Sequence, residues 1–393
     1  MSCLTAHPQS IFDKRFMKIL FQYVYGSGGA LANLVRLVDA VANVAPDAEL
    51  VIMCSPESAL KELDCRGNVS IEVYGEESWK VFWRFRLGFS GLKAAVQKHR
   101  PDIVWSVNTG AFGTLPCPQV VQLNNPYHVY PLSMARHHPR GRVAVMILRQ
   151  VFAQTLKHSS TLVCQTQVMA DSAVRLFNYD GRVEVIGKAV GNDAHRQSEI
   201  SDAAKETGKR NRFNFGYVAT GYPHKNHAVL LEACRTLASQ RNNFQLHLSL
   251  TREEITSLGG AASASLIDQG VVVPHGWLNP ASLPDFYRSL DACVMPSLTE
   301  SLSSAHLEAM AFALPQINAN LPYAHELCGN AALYADPLNA EDWATQMAAL
   351  MDNAALQDRL GNAGAARHAA MPKEWSDVAR QWVTLLQSVA SAS

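Results

Sequence analysis

Two glutamates and a lysine stand out by type and spacing. Glu300 follows the run Asp291-Ala292-Cys293-Val294-Met295-Pro296-Ser297-Leu298-Thr299, and Glu308 comes eight residues later, ahead of Ala309-Met310. The apolar run ends at Met295, a turn begins at Pro296-Ser297, and a helical pattern starts near Ser304, so Glu300 is expected where a strand hands over to a helix. In an open parallel sheet that is where ligands bind. The amides of Ser301, Leu302, Ser303 and Ser304 then lie at a helix N-terminus, whose free N–H groups and positive dipole end suit a phosphate. Glu308, one to two turns on, offers a carboxylate that accepts two hydroxyl hydrogen bonds, as from a ribose diol. Lys225, in Tyr222-Pro223-His224-Lys225-Asn226, adds a cation after a second strand candidate. The plainer readings are a solvated helix carboxylate for Glu308, a dipole-favoured helix-start acid for Glu300 and an exposed lysine for Lys225. Their spacing favours the shared chemical role.

Other candidates are less sharply defined. Gly28 and Gly29 follow the first apolar strand and suit a backbone nest near a diphosphate, although they do not complete a G-x-G-x-x-G pattern and a plain tight turn is the rival. His128 is either a contact to donor or acceptor or a satisfied loop histidine. Glu326 either sits near the donor or caps a helix. Trp79-Lys80-Val81-Phe82-Trp83-Arg84-Phe85-Arg86 interleaves aromatics with cations. It suits contact with an anionic membrane surface, or a helix with its aromatics turned inward and its cations solvated.

The elements that must position these residues read as two α/β units. Met17–Phe21, Glu49–Met53, Ser70–Tyr74, Ile103–Val107, Val120–Leu123, Thr161–Cys164 and Val183–Ile186 are strand candidates, with helical periods at Leu31–Val44, Gly91–Lys98 and Val143–Lys157. Residues 191–211 are polar and lack aliphatic runs, as a linker does. The pattern then restarts. Strands are expected at Phe213–Val218, Phe244–Ser249, Gly270–Pro274, Ala292–Met295 and Gln316–Asn318, with helices at His227–Gln240, Glu253–Ile267, Pro280–Leu290, Ser304–Ala313 and, as one piece, Glu341–Leu360. Gly361–Met371 reads as a connection to a last helix, Glu374–Val389, whose Trp375, Val378, Trp382, Leu385 and Leu386 form an apolar face. The expected domains are 15–190 with the helix 374–390, and 212–372.

Bulk properties agree with this division. The chain has 393 residues, 48% hydrophobic and 17% charged, enough for two cores, and no run long enough to span a membrane. Its start does not read as a signal peptide, so a cytoplasmic location is expected. Net charge is zero. Lys and Arg exceed Asp and Glu in the first 200 residues and fall short beyond, hinting that the first half meets something anionic. The eight cysteines are scattered without zinc spacing, and Cys164 and Cys293 stand in apolar runs, as small core residues do. No metal site is expected.

The Glu300/Glu308 segment resembles the Glu-(seven residues)-Glu motif of glycosyltransferase family 4, a retaining family with the GT-B fold. The stretch Gly216 to His227, with the helix after it, is similar to that family's diphosphate-binding lysine segment. Tyr222-Pro223-His224-Lys225-Asn226 in particular resembles bacterial mannosyl- and related transferases of surface polysaccharides. Asn320–Glu326 and Gly329–Pro337 resemble the family's closing strands. The resemblance covers about residues 210–390, and the first half only in outline.

It implies two Rossmann-like domains facing across a cleft, with the C-terminal helix crossing back to the first. It further implies that Glu300 contacts the transferred sugar, Glu308 the ribose, and Lys225 the diphosphate. The implied reaction moves a hexose from a GDP- or UDP-sugar to a saccharide or lipid-linked acceptor, with no cofactor and no metal, either free in the cytoplasm or peripheral on the inner face of the cell membrane. Ser301-Leu302-Ser303 stands where the family has Gly-Phe-Gly, the family's arginine ahead of the lysine is missing from Tyr217–Gly221, and its first-domain histidine falls at Asn124 or Asn125. Lys225 then carries the diphosphate charge with backbone amides alone, or with help from Arg212 or a first-domain cation. A non-catalytic sugar-nucleotide-binding protein and a nucleotide-sugar epimerase or hydrolase of the same fold are the alternatives.

Overall fold

The structure, a computed structural model, describes residues 17–23, 28–75, 83, 85–133, 138, 141–189 and 211–392. The linker 191–210, Val24–Ser27, and Trp79, Lys80, Val81, Phe82 and Arg84 of the aromatic-basic run lie outside them.

Among the described residues, thirteen strands fall into two sheets. The first contains β1 (Lys18–Tyr23), β2 (Glu49–Cys54), β3 (Val69–Val73), β4 (Ile103–Val107), β5 (Gln119–Leu123), β6 (Thr161–Cys164) and β7 (Arg182–Val185). The second contains β8 (Phe213–Tyr217), β9 (Phe244–Leu248), β10 (Val272–Pro274), β11 (Ala292–Met295), β12 (Gln316–Ala319) and β13 (Ala332–Ala335). Every pairing is parallel, in the orders β3-β2-β1-β4-β5-β6-β7 and β10-β9-β8-β11-β12-β13. The central strands are apolar on both faces, as strands sandwiched between helices must be. Strand order reverses between β1 and β4, and again between β8 and β11; ligands bind at such reversals, beyond the strands' carboxyl ends.

The longer helices are α1 (Gly28–Val44), α2 (Leu92–His99), α3 (Gly141–Leu156) and α4 (Gln167–Phe177) in the first half. In the second are α5 (His227–Ala238), α6 (Arg252–Asp268), α7 (Leu283–Arg288), α8 (Ser304–Ala311), α9 (Pro322–Cys328), α10 (Ala340–Met351), α11 (Ala354–Ala369) and α12 (Trp375–Ser391). None of the described helices is long and apolar enough to cross a membrane.

Two expectations are corrected. The stretch read as one helix over 341–360 is two, because Asn353 breaks the helical backbone and caps a new one by accepting from the Leu356 amide. That second helix runs straight through Gly361 to Ala369, a stretch that reads in the sequence as a connection. A Cβ on Gly361 would stand 2.4 Å from the Ala313 carbonyl oxygen, so this glycine permits close helix approach within a continuing helix. Gly260, in contrast, does interrupt α6, with φ 65°.

The C-terminal helix crosses back as expected. Val378, Ala379, Trp382, Leu385, Leu386 and Val389 of α12 are buried in the first sheet's core together with Leu34, Leu37, Val38 and Val41 of α1. The Trp382 ring stacks on Trp105 of β4, centroids 4.2 Å apart and planes at 22°. The helix thus has its apolar face covered by the half of the chain from which it is most distant in sequence. Replacing Trp382 by Ala should cost about 3–5 kcal/mol, the usual range for emptying a buried tryptophan site; urea unfolding measures it, and a loss below about 1 kcal/mol would show that α12 is not integral to that core.

Candidate active site

Two loops meet at the reversal point of the second sheet. One follows β8 and carries Lys225; the other follows β11 and carries Glu300. They are tied at several points. The Leu298 amide donates to the His224 carbonyl at 2.8 Å. The Tyr217 hydroxyl lies 2.7 Å from Ser297 Oγ and 3.2 Å from the Lys225 carbonyl. Tyr323 of α9 donates to the Ser297 carbonyl at 2.5 Å. Asn226 takes a left-handed conformation, φ 56°, which asparagine tolerates better than most residues. From there its amide donates to the carbonyls of Pro296 and Pro337, at 3.2 and 2.7 Å, pinning three loops together.

This scaffold brings Lys225 Nζ to 2.5 Å from Glu300 Oε1, with side chains 20% and 12% exposed. Burial opposes ionisation of Glu300. The charge and hydrogen bond of Lys225 outweigh it, helped by His224 and the Ser297 hydroxyl, and the carboxyl falls from the ordinary 4.5 to about 2. Glu308 lies on α8, its Oε2 accepting from the Tyr287 hydroxyl at 2.7 Å. Ser303 is the N-cap of α8 without using its side chain, so no side chain satisfies that helix start. Ser301 and Leu302 complete the turn between Glu300 and α8. Ser304, in the first turn, shares a helix face with Glu308 four residues on. His306, also on α8, is 1% exposed with no hydrogen-bond partner on either ring nitrogen, and burial pushes it down to about 4.

The first sheet contributes across the cleft. The Tyr130 hydroxyl donates to the Glu300 carbonyl at 2.8 Å. Lys188, three residues past β7, donates through Nζ to the Leu302 carbonyl at 2.5 Å and to Ser304 Oγ at 2.7 Å. Glu326 of α9 accepts from the amides of Gln167 and Val168 at 2.6 and 2.7 Å, which caps α4 of the opposite half and decides between its two readings in favour of the cap. Tyr323 and Ala324 pack into a shared apolar cluster with Val121, Leu123, Tyr130 and Phe152. Tyr130, Gln167, Val168 and Lys188 follow the carboxyl ends of β5, β6 and β7, so the two sheets present those ends to each other.

The remaining candidates fall elsewhere. His128, in a short turn after β5, is 2% exposed, its Nδ1 3.0 Å from the Asn125 carbonyl oxygen and its ring 4.9 Å from that of Phe152. That is a core position; its neighbour Tyr127 is the residue whose ring meets His224, edge-on at 5.8 Å. Gly28 and Gly29 form the first turn of α1 instead of a loop ahead of it. Arg212 donates to the Gly270 carbonyl at 3.0 Å, at the amino end of β8, which places it at the wrong end of the sheet to replace the missing arginine. Of the aromatic-basic run, Trp83 packs edge-on to Tyr74 at 5.8 Å with the Arg86 guanidinium over its ring at 4.9 Å. Lys188 went unnoticed in the sequence. The one signal was a lone lysine in Val185-Ile186-Gly187-Lys188-Ala189 at the end of a strand.

Two parallel-sheet α/β halves with their carboxyl strand ends facing define the GT-B class of glycosyltransferase fold. Residues 199–367 match the family model described as glycosyl transferases group 1. Among curated relatives, the mannosylfructose-phosphate synthase of Agrobacterium fabrum is 29% identical over 50% of this chain and 46% of its own length. The O-antigen chain mannosyltransferase RfbU of Salmonella typhimurium is 23% identical over 53% and 55%. The chain thus spans about half the length of the curated relatives it matches. Among solved structures, sucrose-phosphate synthase from Thermosynechococcus elongatus superposes with a TM-score of 0.70 at 14% identity, over 96% of this chain and 100% of that one. Anabaena HepE in complex with UDP-glucose gives 0.65 at 18%, over 95% and 100%. These likenesses are likenesses of fold.

The Glu300 shift has a consequence for stability. A carboxyl depressed on folding stabilises the protein fully above its unfolded value and ceases to do so as pH falls through its folded value. A drop from 4.5 to about 2 corresponds to on the order of 3 kcal/mol. The stability gap between wild type and Glu300→Gln, measured by urea unfolding, should therefore shrink by about that much between pH 5 and pH 2. A gap independent of pH would contradict the ion pair.

Proposed function

We propose that this chain is a retaining glycosyltransferase that moves a hexose from a GDP- or UDP-sugar to a saccharide or lipid-linked acceptor. The observation that carries the reading is the set of Lys225, Glu300, Glu308 and an uncapped helix start, gathered at the sheet's reversal point. Lys225 and the α8 amides meet the diphosphate, the Glu308 carboxylate accepts from the ribose hydroxyls, and the Glu300 carboxylate accepts from hydroxyls of the sugar. The bond between the anomeric carbon and the phosphate oxygen breaks, and the acceptor oxygen bonds to that carbon on the same face. The acceptor's proton passes to the departing phosphate oxygen, so no separate general base is required. Positive field for the leaving group comes from Lys225 and backbone dipoles without a metal ion.

In the free protein Lys225 is engaged by Glu300. A diphosphate arriving at Lys225 competes for that ammonium and releases Glu300 oxygens toward the sugar, which couples donor binding to assembly of the sugar contacts. The names of the relatives, a mannosylfructose-phosphate synthase and an O-antigen mannosyltransferase, support a saccharide acceptor and a role in glycoconjugate synthesis. A peripheral place on a membrane is supported by α3, where Val143, Met146 and Ile147 are exposed on one face beside Arg142.

Glu300→Ala should lower transfer by about 10²–10³-fold while nucleotide binding persists, and Glu308→Ala should weaken nucleotide and free nucleoside alike. Activity assays on a panel of GDP- and UDP-sugars, with calorimetry for binding, measure both; undiminished transfer by Glu300→Ala overturns the assignment. For the membrane, the full chain should pellet with vesicles rich in anionic lipid at low salt and less so at high salt. No pelleting at either salt removes that part of the reading.

A further inference from the structure

Among the described residues, Lys188 is the one buried cation of the cleft that the steps above leave unused. It is 9% exposed, and burial pushes its ammonium down to about 8 despite the opposing fields of Glu308 and Glu300, with Lys225 adding to the depression. Both groups it bonds are neutral, a carbonyl and a hydroxyl. As a latch between the two halves, a neutral amide would serve equally well at a lower desolvation cost. The charge is therefore the feature that needs explaining, and its position explains it. Leu302 and Ser304 flank the start of α8, which the Ser303 side chain does not cap. Lys225, brought by the second sheet, pairs with Glu300, and its charge reaches Lys188. Two ammonium groups and a helix start around one spot form a receptor for a group carrying two negative charges.

We propose that Lys188 is a donor-binding residue: its ammonium meets the donor's diphosphate from the first half of the chain while Lys225 meets it from the second. This rests on the donor-site reading above and adds to it that the phosphate site is complete only where the two halves touch. Lys188 would then turn from the Leu302 carbonyl and Ser304 hydroxyl to phosphate oxygens, a change of partner that needs only side-chain rotation. Glu326 on α4 and Tyr130 on Glu300 hold the halves together around that movement.

The test uses the full chain with UDP, GDP, uridine and guanosine as probes, read by calorimetry and, for the weak nucleosides, by ligand-observed NMR. Lys188→Gln keeps a hydrogen-bond donor for Leu302 and Ser304 but removes the charge; Lys188→Arg keeps the charge and, unlike the lysine, does not lose it near pH 8. Lys188→Gln should weaken the nucleoside diphosphate that wild type binds by about 10- to 100-fold and leave the matching nucleoside within about twofold, with Lys188→Arg restoring most of the loss. An unchanged nucleoside affinity certifies that the variant is folded. Equal losses for nucleoside and diphosphate would make Lys188 a structural latch and overturn the proposal, as would no loss at all. Wild type that binds none of the four probes would instead sink the donor-site reading, and this proposal with it.

Discussion

A carboxylate and an ammonium group 2.5 Å apart, where two parallel sheets turn their carboxyl ends to each other, set the terms for the structure around them. Each ion is costly to remove from water, and their mutual attraction offsets that cost only with good geometry and further hydrogen bonds. The surroundings supply both. Asn226, Tyr217 and Tyr323 hold the backbone of the two loops, so Lys225 and Glu300 are delivered by frames that cannot easily drift apart. A pair of similar-sized apolar residues would be at least as stabilising at this place, which is why its presence speaks for chemistry more than for stability.

The contacts across the cleft have a different character. Each is a polar group of one half meeting backbone or a helix end of the other: Tyr130 on the Glu300 carbonyl, Lys188 on the Leu302 carbonyl, Glu326 on the first amides of α4. Such contacts are directional, and each can exchange its partner for a ligand or water without leaving an apolar surface exposed. The apolar part of the union lies elsewhere, in Tyr323 and Ala324 against the β5–β6 side and in Trp382 against Trp105. Permanent attachment and exchangeable polar contact are thus assigned to different residues.

The carboxylates of the site were legible in the sequence, because an apolar strand, a Pro-Ser turn and a helical period bracket Glu300 and Glu308 within a single continuous stretch. Lys225 was legible for the same reason. Lys188 was not, since nothing local distinguishes a lysine after a strand from any other surface lysine; its burial comes from loops more than a hundred positions away. Glu326 had two readings because a helix it could cap need not be its own, and the one it does cap belongs to the other half. His128 sits in a turn that reads as a loop, yet it packs on Phe152, a contact that depends on where α3 lies.

By itself the sequence determined most of the strands and several of the helices, the parallel α/β class, and the order in which catalytic candidates leave the strands, because these follow from apolar periodicity and turn chemistry within short windows; α4, α9 and the break at Asn353 were not among them. Only the tertiary structure decided which strands are neighbours, and with that the reversal point where the loops after β8 and β11 converge. It also decided that α11 continues through Gly361, that Arg212 is at the far end of its sheet, and that a lysine from the first half bonds Leu302 and Ser304 of the second. Those outcomes depend on distances between residues remote in the chain, set by how two cores pack and how their faces meet, and local composition carries no record of them.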